Sequence, residues 1–280
     1  MKQRRLLPVL LLLALAAGAA PSPAEVPSIQ EYRVPAVSHP HDVAPAPDGS
    51  VWYTAQNAGA LGRLDPATGA TRHISLGPGS SPHGVIVGPD GAPWVTDGGR
   101  NAIIRVDPAT EKTSVHPLPM GRGDANLNTA AFDGRGILWF TGQNGVYGRL
   151  DPRTGRIDVF DAPRGRGPYG IAAAPDGSVY YASLAGNHVA RIDTATGAAT
   201  AIDPPTSRQG ARRVWSDSKG RIWVSDFGAN TLVRFDPERE TFRSFSLPSK
   251  GARVRQLLGR KGEVWGAESG TDRLVVIRFP

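Results

Sequence analysis

The stretch PDGAPWVT, residues 89–96, sets a tight turn against a short strand, and the chain repeats it. PDGSVWYT (47–54), DGRGILWFT (133–141), PDGSVYYAS (175–183), SKGRIWVS (218–225) and RKGEVWGA (260–267) carry the same frame. Trp52, Trp94, Trp139, Tyr180, Trp223 and Trp265 recur at spacings of 42, 45, 41, 43 and 42 residues, each three residues after a glycine. A second landmark follows in five of the six units, as in GRLDPATG (62–69) and GRLDPRTG (148–155). A period near 42 residues with short strands is the pattern of a propeller. Asp, Pro and Gly supply the side-chain caps, fixed φ and positive φ that tight turns require.

Each unit reads as four strands. In the second they run over residues 84–87, 93–96, 102–106 and 113–118. One such sheet cannot bury both faces alone, but sheets packed around an axis can. The sixth unit ends at Pro280 without a fourth strand, while residues 29–35 resemble one. The expectation is therefore an all-β fold: a six-bladed β-propeller of four-stranded antiparallel blades, closed by the N-terminal strand. The arginines at 63, 105, 149, 191 and 234 recur with the frame and are assigned to structure, bonding turn carbonyls or Asp residues.

Composition narrows the function. With 34 Gly, 25 Pro and no Cys among 280 residues, disulfide scaffolds and thiol chemistry are excluded. Lys2, Arg4 and Arg5, an apolar run over residues 6–17 and small residues through Ala24 form the pattern of a secretory signal peptide. The expected division is residues 1–24 as leader and 25–280 as one propeller domain, secreted or periplasmic after cleavage. Removing the leader takes three positive charges from a formal net charge of +7. No basic block with interleaved aromatics is present, so nucleic acid is not expected as a partner. Nor is a membrane after cleavage; a monomer is expected.

The first residue of each innermost strand lines the mouth of the central channel. Eight residues before the turn glycine lie His41, His83, Asn126, Tyr169, Arg212 and Val254, the third unit being counted from Gly134 because Gly136 reflects a two-residue insertion in the turn. Three residues after the aromatic landmark lie Asp97 and Glu268. These positions vary while the frame does not, as for a site grafted on a repeat fold. Two imidazoles and two carboxylates around one mouth suit a base and a divalent cation. Asp97 and Glu268 are the expected ligands of Mg²⁺, or alternatively Ca²⁺. Asn126, Tyr169 and Arg212 are expected to contact a small-molecule or peptide ligand.

The repeat wording, with Ser81-Pro82-His83-Gly84, Pro168-Tyr169-Gly170-Ile171 and Trp139-Phe140-Thr141, resembles the virginiamycin B lyase (streptogramin lyase) propellers across residues 29–280. The resemblance implies opening of a cyclic depsipeptide at its ester by elimination, assisted by Mg²⁺. It places the base on His83, a substrate contact on His41 and a metal ligand near Asp97. Ser81 stands where that family has a Glu, and the family's lyases have seven blades. Two alternatives accompany this reading: a non-catalytic propeller that binds a ligand or protein, and a divalent-metal lactone hydrolase.

Overall fold

The computed structural model describes residues 27–279 apart from 122, 175–176, 204–213, 218, 220, 227–228, 237 and 240. It is a six-bladed propeller with four antiparallel strands per blade. The innermost strands a are Pro40–Pro45, Pro82–Val87, Leu127–Phe132, Pro168–Ala173, Val214–Ser216 and Val254–Arg260. Among the described residues the only helical turn is Gln56–Ala58.

The expected latch is present. Ser28–Arg33 pairs antiparallel with Arg273–Arg278, from Ser28 opposite Arg278 to Arg33 opposite Arg273. The first strand thus becomes the outer strand of the sixth blade. Arg260 adds a tie across this seam, donating to the carbonyls of Ala46 at 2.7 Å and Gly49 at 3.2 Å.

The turn frame explains its own recurrence. The turn carboxylate takes the indole N–H of the landmark Trp: Asp90 from Trp94 at 3.3 Å, Asp133 from Trp139 at 3.0 Å, Asp217 from Trp223 at 3.0 Å. The recurrent arginine lies opposite that ring on the next strand, as Arg63 opposite Trp52. Its guanidinium covers the indole at 5.0 Å and bonds Asp48 at 3.0 Å. Arg149 also donates to the Thr194 carbonyl of the next blade at 3.1 Å. Stacking buries the indole while the charged head stays at the rim.

A threonine two residues after the landmark staples adjacent blades. Thr54 accepts the N–H of Asp42 and donates to the His83 carbonyl, both at 2.9 Å. Thr96 does the same between Gly84 and the Asn128 carbonyl, and Thr141 between Thr129 and the Tyr169 carbonyl. Each hydroxyl accepts from a buried donor of its own blade and donates to a buried carbonyl of the next, so one side chain serves both.

Candidate functional site

Strand a bulges where it reaches the channel mouth. Register shifts fall between Pro40 and Val43, Pro82 and Gly84, Leu127 and Ala130, Pro168 and Ile171, and Val254 and Leu257. Bulges re-aim side chains, and here they fall on His41, His83, Asn128, Tyr169 and Arg255.

Two of those residues correct the expected ring. The turn of the third blade holds no insertion. Gly136 has φ 79° and its N–H bonds Asp133, as Gly49 bonds Ala46 in the first blade. Counting from Gly136 gives Asn128 in place of Asn126. Asn126 lies just before the strand at φ 50°, where its carbonyl accepts the Gln143 N–H at 2.9 Å. In the sixth blade the turn is shorter: Arg260 is already opposite Glu263. Val254 lies opposite Glu268 as Pro82 lies opposite Asp97, so Arg255 takes the mouth position and Val254 is core. Arg212 lies outside the described residues.

His41, Asp42 and His83 are all buried, and each offers a ligand atom within 4.8 Å of the others. The imidazole centroids are 3.7 Å apart. Tyr169 meets the His83 ring edge-on at 6.0 Å. His41 Nδ1 is 3.0 Å from Asp42 Oδ1. A carboxylate only accepts, so this nitrogen carries a proton, and in the neutral ring Nε2 then holds the lone pair. His83 Nδ1 donates to the Asn128 carbonyl at 3.2 Å, and its Nε2 faces the Asn128 amide nitrogen at 3.4 Å. Burial, reinforced by His41 and opposed by Asp42 and the Asn128 carbonyl, lowers the His83 pKa to about 3. His83 is therefore a neutral, weak base. The Arg255 charge acts in the same direction on His83 and its Nε donates to Ser269 Oγ at 3.2 Å.

The two expected carboxylate ligands do not join this cluster. Asp97 is buried beneath the mouth, accepting the backbone N–H groups of Ser81 at 2.9 Å and Arg100 at 3.0 Å, and the Ser80 hydroxyl. It caps the loop between the second and third strands. Glu268 is buried and accepts the Thr271 hydroxyl at 2.7 Å. Burial pushes its pKa up to about 7, and the neighbouring Glu31 carboxyl adds to the shift. Mg²⁺ and Ca²⁺ take oxygen donors. A cluster with two imidazoles and one carboxylate does not fit them, although its three ligand atoms make it a candidate for some divalent cation. Asp42 and Asn128, missed in the sequence, were signalled there: Asp42 follows His41 directly, and Trp139 keeps its three-residue spacing from Gly136.

A groove of about 800 Å³ at the opposite end of the propeller is lined by turn residues including Asp48, Arg63, Asp65, Arg72 and Arg278. Its cations are paired: Arg63 with Asp48, Arg72 with Glu111 and Arg278 with Glu263.

Six four-stranded blades with His41, Asp42 and His83 brought together at one end of the innermost strands define a β-propeller with a polar channel mouth. A sequence profile of the virginiamycin B lyase family matches residues 21–277, and the chain belongs to that family. No curated protein matches it in sequence. Among solved structures, a virginiamycin B lyase from Staphylococcus aureus is 21% identical with a TM-score of 0.63, covering 90% of this chain and 99% of that one. A streptogramin B lyase gives 21%, 0.65, 91% and 98%. A gluconolactonase from Xanthomonas campestris gives 16%, 0.66, 86% and 86%. Likeness at these identities establishes the fold alone.

Proposed function

We propose that the chain opens a cyclic ester, of the depsipeptide class, by elimination at the channel mouth, with His41 as the base. The observation that carries this is the 3.0 Å contact between His41 Nδ1 and the Asp42 carboxylate. A carboxylate on Nδ1 fixes the ring and favours the imidazolium that forms when Nε2 takes a proton. His83, assigned the base by resemblance, is poorly suited because burial holds its pKa at about 3. It instead supplies a neutral ring packed against His41.

In the reaction His41 Nε2 takes the proton from the carbon alpha to a carbonyl. The C–H electron pair forms a C=C bond, and the neighbouring C–O bond breaks. The carboxylate leaves with the C–O bonding pair and the ring opens without consuming water. Arg255 places a cation at the mouth to receive the charge that develops on the carbonyl oxygen. Tyr169 and Asn128 line the wall beside the reacting face. Since Asp97 and Glu268 are committed elsewhere, no step is assigned to Mg²⁺. The leader pattern over residues 1–24 supports a site of action outside the cytoplasm.

The test is to incubate the protein with cyclic depsipeptides and lactones and follow mass and ring opening. Opened product of unchanged mass is expected. A gain of one water overturns elimination in favour of hydrolysis, and intact substrate throughout overturns the enzyme reading.

A further inference from the structure

The donors at the mouth suit a different ion from the one the family resemblance implies. His41, Asp42 and His83 contribute two nitrogens and one oxygen within 4.8 Å of one another. A fourth group joins them. Asn128 is fully buried, its amide lies 3.4 Å from His83 Nε2, and its Oδ1 has no hydrogen-bond partner. A buried acceptor left unpaired costs about 1–3 kcal/mol. An electron-pair acceptor beside His83 removes that cost once the amide turns Oδ1 inward. Two imidazoles, a carboxylate and an amide oxygen make a four-donor set of two nitrogens and two oxygens. Such sets select borderline transition ions over Mg²⁺ and Ca²⁺. Four-coordinate Zn²⁺ holds its donors at about 2.0–2.2 Å, so side-chain rotations that draw the groups together complete the site.

We propose that His41, Asp42, His83 and Asn128 form a site for a borderline divalent transition metal, and that its occupation switches the enzyme off. The second half rests on the elimination reading: an ion held by His41 and Asp42 engages the imidazole and the carboxylate that together make up the base. The first half stands without it.

The experiment uses the untagged full-length chain, stripped with chelator and titrated with ZnCl₂ by calorimetry. One equivalent should bind, and excess Mg²⁺ should not displace it. His41→Ala and His83→Ala should each weaken binding at least about 100-fold, and Asn128→Ala about 10-fold, in the range that removal of individual metal-site groups produces. Thermal melts show whether each variant is folded. Co²⁺ provides a readout on the unmutated chain, whose visible spectrum should show the intense bands of a four-coordinate centre. Absence of zinc binding in the unmutated chain overturns the site, as does binding that survives both histidine variants. Weak six-coordinate cobalt bands overturn the four-donor set. Turnover that continues on the zinc-loaded protein overturns the off-switch. Failure to open any ester at all, with zinc still bound, removes the elimination reading and the off-switch but leaves the metal site standing.

Discussion

At one end of the second blade, Asp90 receives the Trp94 indole and the Arg105 guanidinium, the latter at 2.7 Å. At the other end of the same strands, His83 meets His41 of the neighbouring first blade and Tyr169 of the fourth. The turn end repeats: Asp133 and Asp217 hold Trp139 and Trp223 in the same way. The mouth end does not, since register-equivalent positions carry His, His, Asn, Tyr and Arg. Repetition marks what every blade needs to stack on its neighbour. Departure from repetition marks where side chains are released from that duty, and the proposed site is built on those positions.

That contrast predicts two separable phenotypes. The largest effect is expected at the mouth: His41→Ala should lower kcat about 100- to 10,000-fold, the span for loss of a general base, while the melting temperature barely moves. A melt lowered as far as that of a core variant would break the comparison. At the turn end the reverse is expected. Trp139→Ala should destabilise by about 3–5 kcal/mol, and the protein that remains folded should keep its KM.

Between the two lies the staple. Thr96→Val takes the hydroxyl acceptor from the buried Gly84 N–H and one donor from the Asn128 carbonyl, at a cost of about 1–3 kcal/mol. Because that carbonyl also orients His83, this variant should alter stability and the mouth together.

A pH series sharpens the same line. The folded pKa of Glu268 is raised from 4.5 to about 7. Its contribution is therefore fully present below pH 4.5 and is lost as pH rises through 7. Glu268→Gln should flatten that decline, gaining on the order of 2 kcal/mol at pH 8. An equal decline in the variant would sink the assignment. The smallest effect is expected at the rim, where Asp48→Ala breaks an exposed pair with Arg63 worth less than about 1 kcal/mol.

The frame was legible because turn chemistry is local: Asp, Pro and Gly act within four residues, so six copies announce themselves. The closing strand was legible because a missing fourth strand and an extra first one balance. The mouth was harder because one residue of miscounting rotates the assignment. Reading an insertion at Gly134 replaced Asn128 with Asn126, and the shortened sixth turn hid Arg255 behind Val254. Asp97 was placed at the right height but not in the right bonds. Nothing in its spacing reveals that two backbone N–H groups claim its oxygens.

The strand pairing between Ser28–Arg33 and Arg273–Arg278 also sets an order of events. Its partners are separated by almost the whole chain, so this contact carries the greatest loop-closure cost and forms slowly. Until it forms, the outer edge of the sixth blade offers unpaired backbone to any passing strand. The sixth blade is thus completed only after the chain's last strand is available, and the time spent waiting for it is when the protein is most exposed to aggregation.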